Sequence, residues 1–294
     1  LVKTKGSALV VGLDPTIERL PRALRAELPS QGLADRALAA RAIEFFDEAV
    51  IELVAPFAVA VKPQIACYEA WGPPGIEAYE RAIARARSAG LAVIGDIKRG
   101  DIGSTAEHYA EAHLGGREAG RAVADAVTVN PYLGSDGVLP FVTVASREGS
   151  GVFVVVRTSN TSASEIQGLV CGDRRLDERV AELVNFWGTG MVGQAGYSCV
   201  GAVVGGTSRS DLMRLRTFMP RSWFLVPGVG AQGAKASDVS VAFDANGLGA
   251  LINASRSILY AYGSPDIADW KSPIREAARR LRDELRASAS LAAQ

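Results

Sequence analysis

Short runs of apolar, largely β-branched residues recur along the chain, separated by longer stretches whose apolar positions repeat every three or four residues. The runs Ala8–Leu13, Phe57–Val61, Leu91–Ile97, Ala126–Val129, Gly151–Val156, Val200–Val204, Trp223–Val226 and Ala250–Ile252 predict strands. Amphipathic segments such as Ala34–Leu53, Ile76–Ala89, Asp136–Arg147 and Ile267–Leu285 predict helices. The strands are apolar throughout, as expected of parallel strands covered on both faces. Eight strands in strict alternation with helices predict an α/β protein, a (β/α)8 TIM barrel forming a single domain over 1–294. A doubly wound sheet is the competing arrangement, but its first βα turn usually carries GxGxxG, and here that turn reads Gly12-Leu13-Asp14-Pro15-Thr16. The Ser-, Thr-, Asn- and Gly-rich connection from Thr158 to Asp177 is long enough to predict a functional loop. Residues 286–294 are expected to form a flexible tail.

Composition narrows the class without naming a chemistry. Of 294 residues, 48% are hydrophobic and 22% charged, enough for a sizeable core. Lys+Arg and Asp+Glu number 32 each. That zero net charge predicts no general nucleic-acid or membrane-surface binder, while leaving room for a local basic pocket. No run of about 18 apolar residues predicts a membrane span. Cys67, Cys171 and Cys199 stand far apart without CxxC spacing, which predicts free thiols. The opening Leu1–Lys5 runs straight into a strand, so no signal peptide is expected and a cytoplasmic location is.

In β/α barrels the reactive groups lie at the C-terminal ends of the strands. Those ends carry Asp14, then Lys62, then Asp96-Ile97-Lys98-Arg99-Gly100-Asp101, then Asn130-Pro131 and Arg157-Thr158-Ser159-Asn160. Helix capping accounts for some polar termini, but lysine is a poor cap and two lysines stand here. Residues two apart on a strand face the same way, so Asp96 and Lys98 share a side, roughly 7 Å apart at Cα. Charges turned into a barrel must pair with each other and with further charges, and Lys62 supplies one from the neighbouring strand. After strand seven, Val226-Pro227-Gly228-Val229-Gly230-Ala231-Gln232-Gly233 offers backbone N–H groups and an amide to an anion. Strand eight ends in Ala254-Ser255-Arg256, and loops seven and eight are the recurrent phosphate site of this architecture. Arg256 is suited to bidentate phosphate binding. His108 and His113, five apart, suit neither a helical metal pair nor a dyad, so both are expected to be structural. No Cys/His cluster, EF-hand, HExxH, GxSxG or P-loop pattern is present.

Gly95-Asp96-Ile97-Lys98-Arg99-Gly100-Asp101-Ile102-Gly103-Ser104-Thr105-Ala106 resembles the signature of the orotidine 5′-phosphate decarboxylase family, in its longer bacterial form. The resemblance extends to Val11–Pro15, Val61–Gln64, Val129–Gly134, Arg157–Asn160, Val226–Gly233 and Gly249–Arg256, in order, over essentially the whole chain. Only Ala163–Arg175 carries no matching motif. The resemblance implies decarboxylation of orotidine 5′-phosphate to UMP, the final step of de novo pyrimidine nucleotide synthesis, with no metal and no cofactor. It implies an alternating charge array of Lys62, Asp96, Lys98 and Asp101, with Lys98 as proton donor. Asp101, Ile102 and Thr105 would serve the active site of a second subunit, so a homodimer is implied. Asp14 and Lys62 would contact the ribose, Ser159 the pyrimidine, and Gln232 and Arg256 the phosphate. Pro227 would line the base pocket, and Ser255 joins the substrate-binding set. The alternatives are a magnesium-dependent sugar-phosphate decarboxylase or aldolase of the same superfamily, and a non-catalytic nucleotide sensor. The first needs an acidic residue where Lys62 stands; the second needs neither Lys98 nor the aspartates.

Overall fold

The computed structural model describes residues 1–26 and 36–292, and the expected helix residues Ala34 and Asp35 lie outside them. Eight parallel strands close into a barrel: β1 Leu9–Leu13, β2 Ala60–Pro63, β3 Ala92–Arg99, β4 Ala126–Val129, β5 Gly151–Arg157, β6 Ser198–Val204, β7 Ser222–Pro227 and β8 Ala250–Ala254. Each pairs with its sequence neighbours, and β8 returns to β1 through Leu9–Ile252 and Val11–Ala254. The longer helices are α1 Arg36–Val54, α2 Pro73–Ser88, α3 Gly103–Leu114, α4 Ser135–Glu148, α5 Leu176–Trp187, α6 Arg209–Phe218 and α7 Lys271–Ala292. Between β7 and β8 the chain makes only a 3-10 turn, Ser240–Ala242.

Alternate strand residues serve two cores. Val10, Ala60, Ile94, Phe153, Val203 and Leu225 cluster with one another and fill the barrel. Their neighbours, such as Leu9, Val11, Val61, Val127 and Val226, pack instead with the helices. That double burial is why the strand sequences are apolar without alternation.

Several strands run further toward the mouth than their apolar runs suggest. β2 reaches Lys62 and Pro63, β3 reaches Lys98 and Arg99, and β8 reaches Asn253 and Ala254. Lys62, Lys98 and Arg99 continue the ladder there because carboxylates of the fold pair with their side chains. At the other end of the chain, α7 extends to Ala292 where a tail from 286 was expected. Its good helix formers sustain it, Leu285 is buried, and the Ser288 hydroxyl donates to the Glu284 carbonyl.

The long connection after β5 is structured. It holds a 3-10 turn at Thr161–Glu165 and a two-residue antiparallel pairing of Val170–Cys171 with Arg174–Arg175. Gln167 folds back to accept the Thr158 backbone N–H at 2.9 Å. At its far end the fully buried Asp177 carboxylate receives Arg214 at 3.0 Å, with Arg175 at 3.4 Å. Cys67, Cys171 and Cys199 are unpaired thiols. Among the described residues no helix is long and apolar enough to cross a membrane.

One buried charge interrupts the apolar stripe of α1. Ile43, Phe46, Val50, Ile51 and Val54 face the barrel at helical spacing, and Asp47 lies among them. Its Oδ2 accepts the Tyr68 hydroxyl at 2.6 Å, while Oδ1 accepts nothing. Burial pushes this carboxyl up to about 7, against the Tyr68 hydrogen bond, with Asp14 adding to the rise. A carboxyl raised in the folded state holds its proton more tightly there than in the unfolded chain. Stability therefore declines as pH climbs from about 4 to about 7 and levels off above. Asp47→Asn should remove that slope, exceeding the parent by up to about 4 kcal/mol at pH 8 and by progressively less toward pH 4. Urea unfolding at the two pH values measures it, and a difference that does not vary with pH would show that the Asp47 charge is not the cause.

Candidate active site

The C-terminal mouth of the barrel holds a cleft of about 330 Å³. Its floor includes Val203 and Leu225, and its walls bring together Asp14, Lys62, Asp96, Lys98, Ser159, Pro227, Gln232, Ser255 and Arg256. Nine of the residues singled out from the sequence thus line one cleft. Asp101, Ile102 and Thr105 do not; they lie at and beyond the end of β3, at the start of α3.

Asp96 organises the electrostatics. Its side chain is only 7% exposed, and both oxygens are filled. Oδ2 accepts Lys62 Nζ at 2.5 Å and Gln64 Nε2 at 3.1 Å. Oδ1 accepts Lys98 Nζ at 2.5 Å and Thr128 Oγ1 at 2.8 Å. Burial alone disfavours this carboxylate, but the two ammonium groups outweigh it and hold the carboxyl well below the usual range. Lys62 is equally buried. Burial disfavours its charge too, yet Asp96 and Asp14 outweigh the cost, and its pKa is raised. Lys98 differs: its side chain is 45% exposed and opens onto the cleft. The result is one buried anion that holds one buried and one reachable cation.

Lys98 is also the one non-glycine residue among those described with a positive φ, at 43°. The β3–β4 register shifts between Gly95 and Arg99, so the strand bulges at the lysine. Left-handed backbone at a lysine is rare, and such strain gathers at functional positions.

Asp14 stands at the end of β1, its Oδ1 4.0 Å from Lys62 Nζ and accepting no hydrogen bond. The Tyr260 hydroxyl fixes this turn by donating to the Asp14 carbonyl at 3.1 Å while accepting the Thr16 N–H at 2.9 Å. Across the mouth, Ser159 Oγ donates to Gln232 Oε1 at 2.6 Å, tying the β5 loop to the β7 loop. Gly228 and Gly230 have φ of 110° and 84°, which the turn requires, and a Cβ on Gly230 would press against Ser257. Arg256 opens a short helix after β8 and has no acidic partner among the described residues, so its guanidinium is free for an anion.

The histidines take no part in this cleft. His108 lies on the surface, its Nδ1 2.6 Å from the Ser104 carbonyl. Burial, with Arg99 and Arg121 nearby, pushes His113 down to about 4 and keeps it neutral. From the long connection after β5, only Thr158, Ser159 and Asn160 reach the cleft. Sequence reasoning assigned no role to Gln64 or Thr128, both of which hold Asp96. Gln64 lay inside a noted motif; Thr128 stood out only as a hydroxyl in an apolar run.

The chain matches the model of the orotidine 5′-phosphate decarboxylase / HUMPS family over residues 7–268. It is 43% identical over 289 residues to the orotidine 5′-phosphate decarboxylase of Rhodopirellula baltica, covering 96% of this chain and 95% of the relative. To the enzyme of the same name from Deinococcus radiodurans it is 46% identical over 237 residues, 80% of this chain and 82% of the other. Among solved structures, Leishmania donovani OMP decarboxylase superposes with a TM-score of 0.76 at 32% identity, covering 98% of this chain and 96% of that one.

The charge cluster has a consequence for stability. Asp96→Asn leaves Lys62 buried without its close counter-ion and should cost about 3–5 kcal/mol. Adding Lys62→Met should return part of that loss, because no buried charge then remains. Urea unfolding at pH 7 measures both, and a single variant as stable as the parent would contradict the pairing. Because Asp96 is depressed in the folded state, its stabilisation is present above the ordinary carboxylate range and fades as pH falls through it. The gap between parent and variant should narrow below about pH 4.

Proposed function

The chain belongs to the orotidine 5′-phosphate decarboxylase / HUMPS family, and we propose that it converts orotidine 5′-phosphate to UMP and carbon dioxide with Lys98 as the proton donor. The observation that carries the mechanism is the Asp96 carboxylate bridging Lys62 and Lys98 at the mouth of a cleft also lined by Gly228, Gln232 and Arg256.

The reaction breaks the bond between the pyrimidine C6 and its carboxylate. Carbon dioxide departs, the electron pair stays on C6, and a proton must replace it. The ring offers no adjacent sink for that pair, so stabilisation has to come from charge already in place. An ammonium beside C6 supplies it and then donates its proton, leaving a neutral amine for solvent to reprotonate. Two unit charges at 4 Å interact by about 4 kcal/mol at an effective dielectric of 20. Asp96, with its oxygen on Lys98 Nζ, therefore keeps the ammonium aimed before the substrate arrives. The substrate carboxylate, lost as neutral carbon dioxide, would sit near the Asp96 side of this pair, and that repulsion ends with the chemical step.

The remaining groups sort by distance from C6. Asp14, with an unfilled acceptor oxygen, and Lys62 take the ribose hydroxyls. Ser159 reads the pyrimidine, and Pro227 lines the base pocket. Gln232, Arg256, Ser255 and the backbone around Gly228 and Gly230 take the phosphate. Binding energy from that remote phosphate closes the β7 loop over the site and excludes water.

The array also calls for a second copy. Among the described residues Asp101 accepts only its neighbour's backbone N–H, from Ile102 at 2.8 Å, and makes no ion pair with Lys62 or Lys98. Around it Ile102, Tyr132 and Leu133 are exposed, Tyr132 by 82%. A homodimer covers these apolar groups and delivers Asp101, Ile102 and Thr105 to the partner's cleft. Lys62 stands where a magnesium-dependent relative would need an acid, which favours the nucleotide reaction.

Loss of orotidine 5′-phosphate absorbance tests the activity directly. The parent should turn over with or without chelator, while Lys98→Ala should be silent yet still bind UMP by calorimetry. A near-normal rate for that variant would remove Lys98 from the mechanism. Asp101→Ala and Lys98→Ala proteins, each inactive alone, should regain part of the activity after mixing and subunit exchange. Mixed dimers that form without any recovery would argue against shared sites.

A further inference from the structure

We infer that Thr128 is a positioning residue for the proton donor, its hydroxyl locking both the Lys98 backbone and the Asp96 carboxylate. The inference rests on the decarboxylase reading above and assigns a further residue to the same site.

The register of β3 against β4 brings it about. Gly95 pairs with Val127 and Arg99 pairs with Val129, so Asp96, Ile97 and Lys98 stand opposite the single residue Thr128. Three residues facing one make a bulge, and the bulge carries Lys98 into left-handed backbone at φ 43°. The Lys98 N–H donates to Thr128 Oγ1 at 3.1 Å, and Thr128 Oγ1 lies 2.8 Å from Asp96 Oδ1. Proton directions are settled by elimination. A backbone N–H only donates, and an ionised carboxylate only accepts. The hydroxyl must therefore accept from Lys98 and donate to Asp96. Thr128 is fully buried, so no solvent stands ready to replace it.

Two quantities that matter to catalysis pass through this oxygen. The backbone angle of Lys98 determines where its side chain leaves the strand. The Asp96 oxygen that holds Lys98 Nζ at 2.5 Å is the same atom that accepts from Thr128. Without the hydroxyl, the strained lysine has lost its backbone acceptor and Asp96 Oδ1 has lost a donor. The ammonium then drifts from its position beside C6. The groups proposed to hold the phosphate and base lie at the end of β7 and on the loops after β5, β7 and β8, and the Thr128 hydroxyl bonds to Lys98 and Asp96 and to none of them, so ground-state binding is spared.

Thr128→Val keeps the shape and removes the hydroxyl; Thr128→Ser keeps the hydroxyl and removes the methyl. The valine variant should lose between about tenfold and a hundredfold in kcat, the scale of one hydrogen bond to a charged group, with KM for orotidine 5′-phosphate changed by less than about threefold. The serine variant should stay within about threefold of the parent in both. The valine variant should also show its acid limb in kcat moved to higher pH, since Asp96 has lost a donor that favours its ionised form. Circular dichroism and melting establish that each protein folds, and Thr128→Ala takes the place of valine in the same comparison if valine does not. A valine variant with parental kcat, an effect confined to KM, or a serine variant as impaired as valine would each overturn the inference. The parent is run alongside: if it fails to decarboxylate, the functional reading falls, whereas an active parent with an unaffected valine variant removes only Thr128.

Discussion

A carboxylate almost withdrawn from water cannot remain ionised without cations against it, and the mouth of this barrel is arranged around that constraint. Asp96 is kept charged by Lys62 and Lys98, and in return it keeps Lys62 charged where burial would neutralise it and holds the Lys98 ammonium in place. Neither lysine would hold its place beside the other without the anion between them. Gln64 and Thr128 complete the carboxylate's hydrogen bonds, which leaves Asp96 a single orientation. The position of the Lys98 ammonium is thus set by a closed set of contacts before any ligand enters.

The fold divides the work between rigid and adjustable parts. Charges that must not move sit on β2 and β3, inside the ladder, with Lys62 registered against Gly12 of β1 and Asp96 bridged to Gln64. Groups proposed to grip the ligand sit on the loops after β5, β7 and β8, where glycine backbone and a Ser159–Gln232 hydrogen bond permit rearrangement. An electrostatic catalyst needs this separation, because a preorganised field loses its value if it must reorganise with the substrate. The strain at Lys98 belongs to the rigid side: the bulge that aims the lysine is held by packing and by a buried hydroxyl.

In the dimer proposed above, Asp101 would extend the same logic across a subunit boundary. It lies only three residues beyond Lys98, yet the end of β3 carries it away from its own cleft and toward exposed apolar groups. In the proposed dimer the fourth charge of the array arrives with the partner, so assembly and competence of the site become one event. Asp47 shows the opposite case, a buried carboxyl with one hydroxyl partner and no cation, which is pushed toward neutrality instead.

Much of this was legible in the residues themselves. Unbroken apolar runs reveal strands buried on both faces, and β4 matches its run residue for residue, because double burial leaves a continuous apolar run in place of alternation. The grouping of Asp96, Lys98, Lys62 and Asp14 follows from strand ends meeting at one mouth, and Gly228 and Arg256 line the same cleft. What the sequence could not express is any relation fixed by register. The extension of β2 through Lys62, the three-against-one bulge and the left-handed lysine depend on which atoms of adjacent strands face each other. So does the role of Thr128, whose hydroxyl acquires meaning only when β4 is laid beside β3. Burial and periodicity are properties of one strand and can be read along it, whereas the partner that satisfies a buried charge comes from elsewhere in the chain and is decided by the closed barrel alone.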